Sequence, residues 1–509
     1  MEKPVFFNVS DYQLVYPVLL IIIPLFGLTI NGLFYKRNPA AGAQLASGII
    51  GLAWALSIIG IVFIPAHFNN ETFVGLKIDG LSLLMSGLIL FVSFIIHQFS
   101  RRYMSGDKKY RAFFLKITAI ACSTIIMVFA DNLLLLWISW TCSNLLLVSL
   151  MIHKKEWLAA KYSGILALKT LLASSLLLLF SFFLLYQATG SISVTAINAN
   201  AAKIPFSALV LLALSAAAQS AQWPFHRWLT SSLNSPTPVS ALMHAGLVNG
   251  GGFILVRFGP LFLSEGHFLT VLFLLGAVSA ILGTAWKLIQ SDMKRMLANS
   301  TLAQMGFMMM QCGLGIFPAA VAHLCWHSLF KAYLFLNAGS SLNTKKETII
   351  LHSHSALLYL FSCLIGLAGA FCFALISKKT ILTLQPTTFL IGFAFISGTQ
   401  MAYSMLCGDL YKRILPAFII VSLAGLFYGE SILLIESFFP VYSAQTLPSL
   451  NWVHLLVFAL FLILWLGTNL INIPGIQRTK IWRRLYVSTL NGSQPHPKTI
   501  TASRNSYRY

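Results

Sequence analysis

The chain has 509 residues, of which 57% are hydrophobic and only 9% are charged. Soluble domains carry about 25% charged residues, so a soluble enzyme, a disordered protein and a nucleic-acid binder are all excluded as the main body of the chain. The formal net charge of +21 is better explained by the positions of basic loops around a membrane than by a polyanionic partner.

Apolar runs of about 18 to 25 residues follow one another along most of the sequence, and each run of this length predicts a membrane-spanning helix, because a helix satisfies its own backbone within hydrocarbon. The predicted spans are 14–34, 45–65, 81–98, 112–130, 132–152, 163–186, 205–222, 236–258, 268–289, 296–317, 318–341, 355–377, 387–407, 414–437 and 452–472. The predicted fold class is therefore an all-α polytopic membrane protein with about 15 (13–15) transmembrane helices.

The loops between these spans alternate in their content of basic residues. If the N-terminus lies outside, the loops assigned to the inside hold most of the 34 Lys and Arg residues, which agrees with the positive-inside rule. The pair Lys378–Lys379 is an exception: either a helix is misplaced there or these lysines lie inside the structure. The tail from about 473 begins with IWRRLY, which is typical of a membrane-surface segment, and its end is expected to be disordered.

The eleventh predicted span carries His323, His327 and Lys331 at intervals of four residues. Helical periodicity places all three on one side of the helix, over about 12 Å of membrane depth. Ionisable groups in the bilayer are costly and are usually retained for function, and both His and a desolvated Lys can exchange protons near neutral pH. The stripe predicts a proton relay; for the His pair, hydrogen bonding between helices is the structural alternative.

Three more residues are candidates for an ion pathway. His244 lies near the middle of the eighth span, whose two prolines and Gly250–Gly252 run indicate an irregular helix with close neighbours; a structural hydrogen bond is the alternative role for this His. Lys169 lies two turns into the sixth span, where it could also extend toward the cytoplasm. Glu430, in the fourteenth span, is the only deep carboxylate. Asp131, at a junction between helices, is expected to act as a helix cap.

The sequence shows no motif typical of a cofactor-binding or metal-binding site. The seven Cys lie in apolar segments without metal-ligand spacing, and there is no phosphate-binding glycine loop. No cofactor or metal is therefore expected in this chain. The lack of clustered catalytic carboxylates or metal ligands also argues against a membrane enzyme that acts alone.

Three segments carry a resemblance to a known family: ADNLLLLWISW at 130–140, SAQWPFHRWLTSSLNSPTPVSALMHAGLVNGGGFILVRF at 220–258, and SDMKRMLANSTLAQMGFMMMQCGLG with HLCWHSLFKAYLFLNAGS between 291 and 340. The chain resembles the antiporter-like subunits of respiratory complex I and of Mrp sodium/proton antiporters. The resemblance implies two inverted five-helix repeats, with a half-channel in each. It divides the chain into N-terminal helices (1–111), a first repeat (112–258), a second repeat (259–407), C-terminal helices (408–472) and a cytoplasmic tail (473–509).

Within this family the chain is most similar to the DabB subunits of the DabA–DabB inorganic carbon pumps, through HAGLVNGGGF in the eighth span and RRLYVSTLNG in the tail. The resemblance implies that the subunit conducts a cation down its gradient, and we expect this cation to be H⁺ rather than Na⁺. The flow would energise uptake of CO2 or bicarbonate by a carbonic-anhydrase-like DabA partner. Zinc is expected on that partner. The implied location is the bacterial cytoplasmic (inner) membrane, with the N-terminus outside and the C-terminus in the cytoplasm.

Two positions depart from the pattern of the family. Thr141 follows Trp140 where complex I subunits carry Glu, and Gln219 stands where the family carries Lys. By contrast, the three ionisable residues of the eleventh span match residue by residue, and Lys169 matches a basic family position. We therefore expect the second repeat to carry the conducting path, with the first weakened or repurposed. The alternatives are a proton-pumping subunit of a respiratory NADH–quinone oxidoreductase-like complex and an Mrp-type cation/proton antiporter subunit.

Overall fold

The structure is a computed structural model that describes residues 9–34, 38–63, 72–73, 75–339, 356–380, 385–407, 410–443, 447–470 and 479–500. Helices account for most of this part of the chain. One short antiparallel ladder is also present, between β1 (Thr72–Phe73) and β2 (Leu76–Lys77).

The α-helices have the following bounds: α1 Val9–Phe34, α2 Pro39–Phe63, α3 Gly80–Tyr103, α4 Tyr110–Phe129, α5 Leu133–Met151, α6 Leu158–Thr189, α7 Val194–Ala199, α8 Phe206–Gln219, α9 Arg227–Thr230, α10 Thr237–Ala245, α11 Gly250–Arg257, α12 Gly259–Leu263, α13 Gly266–Leu288, α14 Met293–Gly313, α15 Phe317–Leu336, α16 Ala356–Ile376, α17 Pro386–Leu406, α18 Leu410–Ser437, α19 Pro440–Ser443, α20 Trp452–Leu470 and α21 Lys480–Gly492. Short 3₁₀ turns occupy Ala201–Lys203, Leu247–Asn249 and Pro497–Thr499.

Within the described residues, ten helical segments are long and apolar enough to cross a membrane. Helices α14 and α15 have a similar length, 21 and 20 residues, but they carry more polar side chains. The seventh predicted span contains only a 14-residue helix, α8. The chain is thus a helical, multi-pass membrane protein, as the apolar runs predict.

The eighth predicted span is a broken helix, which agrees with its prolines and glycines. Helix α10 ends at Ala245, a 3₁₀ turn follows, and α11 resumes at Gly250. The glycines allow close packing here: a Cβ atom on Gly251 would lie 2.2 Å from the carbonyl oxygen of Ala216 in α8. At the break, backbone groups lose their partners within the helix. They lie in the middle of the bundle, where neighbouring helices enclose them.

Helices α13 and α14 pack closely through small residues. A Cβ atom on Gly276 would lie 2.6 Å from the Gly306 carbonyl oxygen, and one on Gly283 would lie 2.5 Å from the Ala303 amide nitrogen. Backbones approach this closely only where side chains are minimal, as in many membrane helix pairs. The pairing fixes α14 against the bundle, and α14 in turn packs against α15.

Ion pairs join several helix ends. Arg257, at the end of α11, pairs with Asp79, the N-cap of α3, and also donates to the carbonyl oxygen of Val128 at 2.6 Å. Lys379 pairs with Glu436 at 2.6 Å, and both side chains are largely buried. Of the two explanations considered for the Lys378–Lys379 exception, the one with lysines inside the structure therefore fits Lys379 alone, because Lys378 is exposed.

Asp131 does not cap the helix that follows it. The side chain of Asn132 is the cap of α5, and it accepts from the backbone N–H groups of Leu134 and Leu135. Asp131 instead accepts from the Thr195 N–H at 3.0 Å and from the Ser193 and Thr195 hydroxyls. The Asp131 carboxylate therefore stabilises the start of α7, a contact across the fold that sequence adjacency does not show.

The expectation that the end of the tail is disordered is wrong for residues 493–500, whereas 501–509 lie outside the described residues. The His496 N–H donates to Ser231 Oγ at 3.0 Å, and Asn234 Nδ2 donates to the Thr499 carbonyl oxygen at 2.9 Å. Ser493 and Thr499 are both buried. This strap, residues 493–499, therefore packs against the loop that leads into α10.

Candidate ion pathway

Helix α15 carries the predicted stripe of ionisable residues on its inner side. His323, His327 and Lys331 are 9%, 5% and 0% exposed. The two imidazole rings are nearly parallel, with centroids 6.1 Å apart. Pro318 lies in the first turn of this helix, where the backbone amide hydrogen that proline lacks would have no partner within the helix. The prediction that the three side chains share one buried side is confirmed.

Lys331 lies at the end of the stripe, against α14. Its ammonium group donates to the backbone carbonyl oxygen of Leu297 at 3.1 Å. In the part of the chain that the structure describes, no carboxylate lies within ion-pair distance of Lys331. A cation without a counter-ion at such a position is costly in hydrocarbon, so Lys331 is a candidate for a functional role.

His244, from the broken helix, joins the same network. Its Nδ1 lies 3.0 Å from Thr301 Oγ1, and the Thr301 hydroxyl donates to the Leu297 carbonyl oxygen at 3.0 Å. The Leu297 oxygen thus accepts from both Thr301 and Lys331, and it connects the Lys to His244. Because the Thr hydroxyl hydrogen is already used, the His244 ring can donate from Nδ1 to the Thr oxygen.

A second contact ties the broken helix to α15. His327 Nε2 lies 3.2 Å from the backbone carbonyl oxygen of His244, and Asn249 Nδ2 donates to Ser328 Oγ at 2.5 Å. The ring of His244 also stacks on Phe335, with centroids 4.3 Å apart. The break in the eighth span therefore supplies hydrogen-bonding groups directly beside the α15 stripe.

The N-terminal end of the stripe contains a polar atom without a hydrogen-bond partner in the described residues. His323 Nε2 is buried and has no hydrogen-bond partner within the described residues, and its ring packs against Phe307 at 5.4 Å. Gln311, one helical turn beyond Phe307, is also buried, beside the Tyr428 side chain. Buried polar groups of this kind are commonly satisfied by water.

The structure does not bring Lys169 or Glu430 to this group. Lys169 is exposed on α6, and Glu430 is exposed on α18. Both side chains lie on the surface of the folded chain, whereas His244 and the α15 residues are enclosed. Whether the two exposed residues take part in ion transfer stays a prediction.

In the first predicted repeat, Gln219 stands where the family carries Lys, Thr141 stands where complex I subunits carry Glu, and Gln219 is bound by the neutral amide of Asn144. Asn144 and Gln219 bind each other through both side-chain amides, at 3.0 and 2.9 Å, and Gln219 Nε2 also donates to the Leu247 carbonyl oxygen at 3.1 Å. Both residues are 2% exposed. The pair is fully hydrogen-bonded and carries no charge, so it can neither take up nor release a proton at physiological pH.

A small cavity of about 40 Å³ lies beside this amide pair. Its lining is mainly apolar and includes Trp140, Gln219 and Asn249. Within the described part of the chain, Trp140 Nε1 and Asn249 Oδ1 lack hydrogen-bond partners. The cavity is large enough for water, which these two atoms could bind.

Sequence reasoning missed several participants. Thr301 and the Leu297 carbonyl gave no signal, because their role depends on how α14 packs against α15. Asn144 gave only a weak signal, as an amide in an apolar span. His97 in α3 was overlooked; it is buried and its Nε2 lies 3.1 Å from Thr118 Oγ1.

Among the residues that the structure describes, no group of three His, Cys, Asp or Glu side chains could hold a metal ion.

A buried stripe of imidazoles and a lysine, beside a broken helix, is the arrangement expected of a membrane subunit that transfers ions. The model of the family described as NADH:quinone oxidoreductase/Mrp antiporter, TM, matches residues 130–376, and the model described as NADH-Ubiquinone oxidoreductase (complex I), chain 5 N-terminus, matches residues 69–114. A solved structure of the Mrp complex from Dietzia sp. is similar, with a TM-score of 0.62 and 20% identity, over 94% of this chain and 59% of that chain.

Individual relatives show to which branch of this family the chain belongs. The probable inorganic carbon transporter subunit DabB of Bacillus subtilis is 36% identical over 363 residues, which cover 69% of this chain and 71% of the relative. DabB1 of Halothiobacillus neapolitanus, with the same description, is 36% identical over 375 residues, or 68% of this chain and 67% of the relative. Subunit L of the Escherichia coli NADH-quinone oxidoreductase is 33% identical over 352 residues, covering 63% and 56%. The chain belongs to the DabB family of antiporter-like inorganic carbon transporter subunits.

Proposed function

We propose that this protein is the cation-conducting membrane subunit of a two-component inorganic carbon uptake complex, and that the conducted cation is H⁺. The observation that carries the proposal is the buried stripe His323–His327–Lys331, which contacts His244 through Thr301 and the Leu297 carbonyl. The imidazoles and the amine can take up and release protons, and water between them would carry protons across the gaps. The Leu297 carbonyl, which accepts from both Thr301 and Lys331, holds these groups in position. The names of the relatives supply the transported substrate, CO2 or bicarbonate.

The proposed partner is a DabA-type, carbonic-anhydrase-like subunit that holds the zinc. In the proposed complex, this chain conducts protons down their gradient, and the partner carries out the chemistry on inorganic carbon. This chain is proposed to need no cofactor of its own and to act as a transporter subunit and not as an enzyme. The names of the relatives as subunits support an assembly of more than one chain.

We further propose that residues 112–258 and 259–407 form two inverted repeats, between N-terminal helices (1–111) and C-terminal helices (408–472), and that about 15 helices cross the membrane in all. The second repeat would hold the conducting path. The first would be closed to ions, because neutral Thr141 and Gln219 stand where the family carries its charged pair, and Gln219 is held by Asn144.

The orientation follows from the positive-inside rule. We propose that the protein lies in the bacterial inner membrane with the N-terminus outside and the tail, 473–509, in the cytoplasm. Exposed Lys108 and Lys154 would then face the cytoplasm. Labelling of single introduced cysteines on intact cells, in a variant without the native cysteines, tests this: labelling at Lys154→Cys by a membrane-impermeant reagent would contradict it.

The decisive experiment combines transport with partner identification. The native complex is purified and its subunits are identified by mass spectrometry; inorganic carbon uptake is then measured in proteoliposomes with an imposed pH gradient. The proposal expects a zinc-containing partner, and uptake that collapses when a protonophore dissipates the gradient. Redox subunits or a set of antiporter subunits in the purified complex would instead favour the respiratory or Mrp-type function. Uptake that depends on Na⁺ and not on H⁺ would change the conducted ion.

A further inference from the structure

Helix α21 is amphipathic, and none of its residues is buried. At 100° per residue, Ile481, Trp482, Leu485 and Tyr486 fall on one side, whereas the basic residues fall on the other. Ile481 is 79% exposed and Leu485 is 57% exposed. Trp482 is half-buried, but Ile481, Leu485 and Tyr486 are exposed, so most of this apolar side can contact something outside the described part of the chain.

The charge on α21 is of one sign. The helix contains Lys480, Arg483 and Arg484 and no Asp or Glu. Its sequence is thus strongly basic on the polar side and aromatic and aliphatic on the other, which is the composition of helices that lie in a membrane interface. A surface of this kind is complementary to negatively charged lipid headgroups.

The position of α21 agrees with this chemistry. Its last residue, Gly492, lies against Trp286, since a Cβ atom there would be 3.2 Å from the indole nitrogen. Gln290 Nε2 donates to Ser493 Oγ at 2.7 Å. Both contacts are made at the end of α13, a candidate membrane span, so the C-terminal end of α21 lies at the level at which a span leaves the hydrocarbon. Tryptophan is enriched at this level of membrane proteins.

We propose that α21 binds the surface of the bilayer, with its apolar side among the upper acyl chains and its three basic residues on anionic phospholipid headgroups. The strap that follows fastens the helix to the bundle through Ser231 and Asn234. Because its end is held near the end of a candidate membrane span, insertion costs little additional ordering. The proposal does not depend on the transported ion or substrate.

Hydrogen exchange of the full-length protein in lipid nanodiscs tests the proposal. Exchange of the peptide spanning 480–492 is compared between discs of neutral phosphatidylcholine and discs that also contain phosphatidylglycerol. We expect exchange to be about tenfold slower or more in the anionic discs, since each basic residue adds to binding at a negative surface. Equal exchange in the two lipids would overturn the proposal.

Three variants make the result specific. The triple variant Lys480→Gln, Arg483→Gln, Arg484→Gln keeps good helix formers and should lose the difference between the two lipids. The double variant Ile481→Ser, Leu485→Ser should exchange faster in both. The matched control, Lys154→Gln with Lys155→Gln, removes exposed basic residues from another loop and should behave like the original protein. Protection that persists in lipid-free detergent only when a partner subunit is bound would show that a protein covers α21, and would also overturn the proposal.

Discussion

Asn144 and Gln219 form a reciprocal amide pair, at 3.0 and 2.9 Å, between α5 and α8. The proposed first repeat thus contains a neutral pair, whereas the proposed second repeat contains Lys331, which is buried and donates to the Leu297 carbonyl oxygen. The two halves of the chain can therefore be tested separately by substitution.

The first prediction concerns the amide pair. Asn144→Ala or Gln219→Ala alone should destabilise the protein by about 1–3 kcal/mol, because each leaves a buried amide without its partner. Uptake per folded molecule should stay unchanged if the first repeat does not conduct. Thermal unfolding in detergent and uptake in proteoliposomes measure the two effects. Loss of uptake in a variant that is still folded would assign the first repeat a direct part in transport.

The second prediction compares two lysines. Lys331→Ala should reduce uptake to background while the complex still assembles, because it removes a proton-carrying group from the enclosed network. Lys169→Ala tests the other lysine: loss of uptake would place Lys169 in the pathway, whereas retained uptake would show that this exposed side chain extends to the membrane surface along its aliphatic stem. Uptake assays with equal amounts of purified complex decide the matter, and wild-type uptake by the Lys331 variant would remove the basis of the proposed pathway.

A third prediction concerns the contact that orients His244. Thr301→Val keeps the shape of the side chain but removes the hydroxyl that bridges His244 to the Leu297 carbonyl. One hydrogen bond is worth about 1 kcal/mol, so uptake should fall about fivefold, with a shifted pH profile because the ring loses its fixed tautomer.

Thr118→Val is the matched control for that experiment. It removes a hydroxyl that contacts His97, at 3.1 Å, in a different pair of helices. If both variants lowered uptake equally and left the pH profile unchanged, the contact of Thr301 would be structural only.

A fourth prediction concerns the Asp79–Arg257 ion pair. Burial raises the pKa of the Asp79 carboxyl, but the Arg257 guanidinium and the Lys77 amine outweigh this effect and hold the pKa below its usual value of 3.8. A carboxyl whose pKa is lowered on folding stabilises the protein above its usual pKa, and this stabilisation is lost as the pH falls through the lower, folded value.

Asp79→Asn should therefore lower the free energy of unfolding by about 3 kcal/mol near neutral pH, because Arg257 is left without its counter-ion. The difference between variant and original should shrink as the pH is lowered below 3.8. Thermal unfolding measured across this range provides the test. Glu156→Gln, which alters an exposed ion pair with Lys109, is the control and should change neither quantity. A constant difference at every pH would show that the carboxylate charge is not the cause.

The sequence alone determined the class of the protein and its main candidate site. Long apolar runs specify membrane helices because hydrocarbon leaves the backbone no alternative, and intervals of four residues place His323, His327 and Lys331 on one side of any helix. The prolines and glycines of the eighth span likewise predict its break, because they act on the local backbone.

Only the tertiary structure decided which groups meet that stripe. Thr301 and the Leu297 carbonyl join it because α14 packs against α15, and the separation of exposed Lys169 and Glu430 from the enclosed residues depends on how α6 and α18 are turned in the bundle. The strap at the end of the tail is ordered by Ser231 and Asn234, more than 250 residues earlier in the chain. Local periodicity fixes the side of a helix on which a residue lies, but contacts between distant helices depend on the packing of the whole chain.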